Sequence, residues 1–253
     1  MKSLLVVLSV LLCANLPTAA IAGESARIGG AEVQINLCSE PQRIIEALHL
    51  ERKGAKPQEV WYVDTPGLDL FRQGVMFRLR IKDRKSELTL KVAKQDCAKV
   101  NSDLLPADQA KCEYDVRGAH VVGAVSLTRI LDDGQDHSLI EGRLALAELL
   151  SQAQIRYLQE VVALWPLIPE LKCLGPAQVE TYYMKGQSFV VELWQLPSGR
   201  HYEEISQKSS LKDAPLVNSA LEGILRRNQV QLCPDQGSQT GSRLKVFLNL
   251  SPR

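Results

Sequence analysis

Long apolar runs are missing from this chain once its first residues are passed. No later segment reaches the roughly 18 consecutive apolar residues that a membrane-crossing helix needs. Net charge is missing too: 30 basic and 29 acidic residues leave a formal charge of +1. Such a balance gives no general attraction for nucleic acid or an anionic membrane, so any anion site must come from local clustering. The cysteines form no CxxC pair, and His49, His120, His137 and His201 are scattered. That spacing argues against a zinc site. No GxxxxGK[ST] loop precedes Asp64-Thr-Pro-Gly67, so this DxxG-like tetrapeptide reads as a turn rather than part of a GTP site.

What is present begins with a leader. Lys2, the apolar run Leu4–Leu12 and the small-x-small triplet Ala20-Ile-Ala22 read as a signal peptide over 1–22, cleaved after Ala22. Leu11 and Leu12 precede Cys13, where a lipoprotein signal would have a small residue. The expectation is a periplasmic or secreted protein, a single domain over 23–253. Disulfides persist in such compartments. Cys97 and Cys112 flank a polar loop between two strands and are the first expected pair. Cys173 with Cys233 is the second, with Cys38 left over.

Periodicity places strands at about 32–37, 59–64, 75–83, 86–94, 111–117, 178–184, 187–195 and 200–207. Ser39-Glu-Pro-Gln opens a helix to about Leu50, and Asp213 with Pro215 opens another to about Asn228. Residues 118–165 read as a helical insert, with a short helix near Val121–Leu131 and two more from Ser138 to Trp165. Arg243–Leu250 fits strand or helix. Eight strands with hairpins and few helices between them predict an α+β fold, an eight-stranded antiparallel β tunnel or barrel with the insert covering one face.

The run Val75–Asp83 alternates, so Phe77, Leu79 and Ile81 share one face while Arg78, Arg80 and Lys82 share the other. On pattern alone this describes a strand with one buried and one solvated face. Other strands add polar stripes: Glu32 and Gln34, Thr89 and Lys91, Glu113, Asp115 and Arg117, Glu204 and Ser206. If the polar faces all turn inward, cations and carboxylates interleave in a tunnel, an arrangement that requires pairing, hydration or ligands. Arginine forks match phosphate oxygens, and carboxylates suit a hard divalent ion.

Tyr62-Val-Asp-Thr-Pro66, Leu70, Gly74, Phe77-Arg-Leu-Arg80 and Leu88-Thr-Leu-Lys91 resemble the signature of the CYTH domains, the triphosphate tunnel metalloenzymes. The agreement in order and spacing covers about 30 residues, with a weaker match over most of the chain. The resemblance implies an eight-stranded antiparallel tunnel. It also implies Mg²⁺ or Mn²⁺ as cofactor and triphosphate or related ligands, some members making cyclic AMP instead. It places Arg78, Arg80 and Lys91 on phosphates, and Glu32, Glu113, Asp115 and Glu204 as metal or water-positioning carboxylates. The chain departs from the family at three strands. The E-x-E-x-K opening reads Glu32-Val-Gln34-Ile-Asn36, the late E-x-E reads Glu204-Ile-Ser206, and Gln178-Val-Glu180 lacks the expected base.

Three functions follow. One is a metal-dependent phosphoanhydride hydrolase of altered specificity. The second is a non-catalytic binder of a phosphate-bearing anion such as polyphosphate. The third is a structural or interaction protein whose tunnel charges neutralise one another. The expected partner is a small anion, with no nucleic acid and no membrane span.

Overall fold

A computed structural model describes residues 27–83, 85–106, 109–162 and 171–249; the leader expected at 1–22 lies outside them. The strands are β1 (Arg27–Leu37), β2 (Glu51–Arg52), β3 (Gln58–Asp64), β4 (Val75–Lys82), β5 (Lys85–Ala93), β6 (Ala110–Arg117), β7 (His120–Ile130), β8 (Lys172–Tyr183), β9 (Val190–Gln195) and β10 (His201–Ser210). They form one sheet in the order β2-β8-β3-β4-β5-β7-β6-β1-β10-β9, and an added β8–β9 pairing closes the ring. Only β2 stands outside it.

This corrects the expected barrel in two respects. It has nine strands in the ring rather than eight, and one pairing is parallel, β1 against β6, with Glu32 beside Asp115. The extra ring strand is β7, whose residues were expected as a helix near Val121–Leu131. It pairs with both β5 and β6. Its alternation is hard to see because its inward residues, Ala124, Ser126 and Thr128, are small. Its first residues, Val121 and Val122, are both exposed. The helical insert therefore starts at Gln135, with helices Gln135–Ile140, Leu146–Leu149 and Gln152–Tyr157. In β1 the register shifts between Ile28 and Gly30, where Gly29 has φ +91°. This is a bulge of the kind that glycine permits.

The barrel is inside out. The residues alternating with the charged stripes are the apolar ones, and they point away from the axis. Phe77, Leu79, Leu88, Leu90, Val125 and Leu127 pack under the helices of the insert. Val33, Ile35 and Leu37 pack under the helices Pro41–Ala47 and Ala214–Arg227. The 214–227 helix buries Leu221 and Leu225 at four-residue spacing. Ser151 and Gln154 form a capping box at the start of 152–157, and the Gln154 amide then donates to the carbonyls of Leu88 and Leu127. That ties the insert to β5 and β7. A third apolar cluster gathers Val60, Tyr62, Leu174, Trp194 and Leu196 with Leu244. Leu244 belongs to the helix Thr240–Phe247, which resolves the strand-or-helix alternative for the C-terminal segment.

Two disulfides are formed. Cys97–Cys112 is as expected. The second pairing is corrected: Cys38 joins Cys233 and Cys173 is free. Cys38 follows β1 directly, and the Cys233 amide donates to the Asn36 carbonyl at 3.0 Å, so the backbone brings those two sulfurs together. Cys173 lies on β8 against the insert. Two disulfides suit an oxidising compartment. Among the described residues no helix is long and apolar enough to cross a membrane.

Because the apolar outer face anchors the insert, Phe77→Ala, at a fully buried position, is expected to lower unfolding free energy by about 3–5 kcal/mol. Denaturant unfolding at constant slope checks it, and a loss under about 1 kcal/mol would contradict the outward-facing core.

Candidate functional site

Cross-strand partners share a face, so the registers identify what lines the interior. Tyr62 opposes Arg78, and Val60 opposes Arg80. Arg78 opposes Thr89, Arg80 opposes Glu87, and Met76 opposes Lys91. The same rule carries the inward face through Ser126 and Lys111 to Glu113 and Asp115. From there it runs to Glu32, Lys208, Glu204 and Glu192. All seven sequence-expected site residues, Arg78, Arg80, Lys91, Glu32, Glu113, Asp115 and Glu204, thus turn into one lumen.

Within it they pair across strands. Lys91 Nζ lies 2.5 Å from Asp115 Oδ2, reaching past β7. Arg117 donates to Glu204 at 2.6 Å and to Asn36 Oδ1 at 2.8 Å. Lys208 bridges Glu32 at 3.2 Å and Glu113 at 3.0 Å, and Lys111 also bonds Glu113. Burial pushes the Glu113 carboxyl up, but Lys111 and Lys208 together hold it below the ordinary range. For Lys208, burial works against the charge and the two glutamates outweigh it, leaving its pKa raised. Burial raises Glu204 despite Arg117 and Arg243.

The carboxylates expected to hold metal are therefore distributed among cations instead of gathered. Among the described residues no three His, Cys, Asp or Glu side chains are placed to share an ion. As they stand, these donors do not fit Mg²⁺ or Mn²⁺, which needs several oxygens on one centre.

The arginines of β4 are different. Arg80 has Glu192 at 3.6 Å, and among the described residues no carboxylate lies within 4 Å of Arg78. The Nε atoms of both are buried without a hydrogen-bond partner. The neighbouring Arg80 charge, followed by burial, brings the Arg78 guanidinium down to about 10, against partial relief from Tyr62, Glu192 and Glu32. Two adjacent guanidinium groups short of counter-charge form the region of the lumen most receptive to an anion.

Sequence reasoning missed Lys111, Glu192, Lys208 and Arg243. The first three were reachable by extending the period-two stripes one step, from Glu113 back to Lys111 and from Ser206 on to Lys208, with Glu192 on the same face as Val190 and Trp194. Arg243 carries no local signal, because a C-terminal helix delivers it.

The departures from the family pattern also find an explanation. Asn36, where the family has lysine, is 1% exposed. Its Nδ2 donates to the carbonyls of Asp235 and Gly237 at 3.2 and 2.8 Å, and its backbone N–H donates to Gln236 Oε1 at 2.8 Å. It fastens the C-terminal segment across the end of β1. Ser206, in place of a second glutamate, donates to Glu32 at 3.3 Å. Just outside the barrel, Glu203 lines a cleft of about 510 Å³ beside Glu40. Burial, then the Glu40 charge, raises the Glu203 carboxyl to about 7.

No family model and no curated sequence matches the chain. Solved structures do. A protein from Hippeastrum, described as an adenylyl cyclase candidate with a dominant triphosphatase activity, aligns with TM-score 0.58 at 19% identity over 84% of this chain and 93% of its own. A Bacillus halodurans protein described as an adenylate cyclase candidate aligns with TM-score 0.54 at 17% identity, over 86% and 98%. At these identities the likeness is one of fold, and it agrees with the CYTH-like signature around Tyr62–Lys91.

Two outcomes test these assignments. Asn36→Lys, which restores the family residue, is expected to lower stability by about 2 kcal/mol or more through a buried, unpartnered ammonium. A Tm equal to wild type would refute the anchoring role. Glu203 has a folded-state pKa above its unfolded value, so it binds more protons when folded. Its contribution therefore falls as pH rises from about 4.5 to about 7. Glu203→Gln should raise Tm at pH 8 and change it little at pH 4.5; equal shifts at both would show that burial does not perturb the group.

Proposed function

We propose that this exported, CYTH-like tunnel binds a phosphate-bearing anion in its lumen, through Arg78 and Arg80 with Lys91 beside them. The observation that carries this reading is the under-neutralised arginine pair on β4. Every other cation named in the lumen's pairs sits within 4 Å of a carboxylate, whereas the Arg78 side chain faces another cation. An oxyanion accepts from guanidinium forks in two parallel hydrogen bonds and supplies the missing charge at once. Lys91 joins only by sharing itself with Asp115, so it adds less than either arginine. The triphosphatase activity described for the Hippeastrum protein makes a linear triphosphate the first ligand to try. The leader-like residues 1–22 and the two disulfides support a site of action outside the cytoplasm.

Binding is favoured over turnover. Hydrolysis needs a carboxylate free to position water or to share a metal, and Glu113, Asp115 and Glu204 are each held by cations. Mg²⁺ and Mn²⁺ therefore enter as variables of the test.

Tripolyphosphate titrated into the purified protein by calorimetry, without metal and then with Mg²⁺ or Mn²⁺, is expected to give one saturable heat. Arg78→Gln with Arg80→Gln should weaken binding by about two to four orders of magnitude, since each charge-assisted contact is worth about 1.5–3 kcal/mol. Tm should be unchanged or raised, because the repulsion is removed. Sustained metal-dependent heat would establish the hydrolase instead. No heat in any condition would leave the lumen charges as structure.

A further inference from the structure

Strand direction determines which ends of the strands share a mouth of the tunnel. β1, β3, β5, β6 and β9 run one way, and β4, β7, β8 and β10 the other. Leu37, Asp64, Gln195, Lys172 and His201 therefore all lie at one mouth. The helix Thr240–Phe247 sits in that mouth. Its Leu244 is 1% exposed and packs with Val60, Tyr62, Trp194 and Leu196. Phe247 stands against Tyr62 with ring centroids 6.4 Å apart. Trp194, Tyr62 and Val60 face the lumen by register, so the helix fills the bore itself. It is held there by the Asn36 contacts to 235–237 and by Cys38–Cys233.

This helix also carries a cation inward. Arg243 is 5% exposed, stacks over Trp194 at 4.0 Å and approaches Tyr202 at 5.8 Å. Among the described residues its Nε and Nη1 are buried without a partner, and Nη2 reaches Thr240 Oγ1 at 3.5 Å. Trp194 Nε1 donates to Glu192 at 3.1 Å, and Glu192 faces Arg80. One lumen wall thus connects Arg80 to Arg243 through two side chains. Toward the opposite mouth a cleft of about 720 Å³ lies where the rim of β5 and β7 meets the insert, lined by Glu87, Thr128 and Ile130 from the lumen face and by Arg129, Leu150 and Gln152 from outside the ring.

We infer that the tunnel is blind. A linear phosphate chain enters from the mouth opposite this helix and is held by its end, with Arg243 as the innermost charge of the site. Arg243 is then a specificity-determining residue: it favours a terminal phosphate, which carries more negative charge than an internal one, and the helix stops a chain from threading through. This rests on the phosphate-binding reading above, and it narrows the ligand from phosphate-bearing anions in general to linear chains with a free end.

The experiment has two arms on the full protein. Tripolyphosphate affinity is measured for wild type, Arg243→Gln and Arg243→Lys. A narrow fraction of linear polyphosphate, about one hundred units long, is then saturated with protein and its stoichiometry read by sedimentation. Retention by the ends allows at most about two proteins per chain, whereas threading or side-on contact would load many. Arg243→Gln should lose roughly tenfold to a hundredfold in tripolyphosphate affinity. Arg243→Lys, which keeps the charge and most of the packing, should stay within a few-fold, guarding against loss through misfolding. Tripolyphosphate bound with many proteins per chain, or with affinity indifferent to Arg243→Gln, overturns the blind site and leaves the phosphate reading standing. No tripolyphosphate bound by wild type overturns both.

Discussion

Everything in this protein follows from having its charges on the inside. A barrel that turns Arg78, Arg80, Lys91, Glu113, Asp115 and Glu204 toward its axis must turn Phe77, Leu79, Leu88 and Leu90 away from it. Those outward faces cannot be left to water. The insert covers one side, and the helices Pro41–Ala47 and Ala214–Arg227 cover another. The hydrophobic effect thus acts mostly outside the ring, with a smaller apolar cluster of Val60, Tyr62, Trp194 and Leu244 inside one mouth. The polar interior is tolerable because most of its charges are paired, as Arg117 is with Glu204. Where pairing fails, at Arg78, the lumen is left with an uncompensated cation.

Much of this was legible in period-two alternation. Val75–Asp83 displays both faces of β4 without ambiguity, and the inward direction of seven site residues followed from assuming that all the polar stripes converge. β7 was not legible. Its lumen side needs small residues so that Lys91 can reach Asp115 past it, and small residues blur the contrast on which alternation depends. The parallel pairing of β1 with β6 was hidden for another reason: neighbours in a closed sheet are chosen by topology, and no local pattern announces them. The Cys38–Cys233 link failed similarly, since 195 residues separate the partners and only the closed ring brings them together.

The first-strand motif shows a lumen-facing position taken up by a structural contact. In Glu32-Val-Gln34-Ile-Asn36 the third polar position no longer carries charge, and Asn36 has become the fastening of the C-terminal segment. Arg117, bonded to both Asn36 and Glu204, links this fastening to the lumen pairs. β1 brings no cation to this position, whereas the helix Thr240–Phe247 brings Arg243 into the lumen.

The placing of β1 between β6 and β10 has a consequence for how the protein is made. The first strand to emerge must wait for a partner from the middle of the chain and another from near its end. Until β10 arrives, β1 offers a bare edge backed by Val33, Ile35 and Leu37, the sort of surface that recruits other chains. Contacts this distant in sequence make for slow folding. The nascent polypeptide therefore keeps an unpaired β1 edge until β10 has emerged, and a holdase that masks β1 would protect it through that interval.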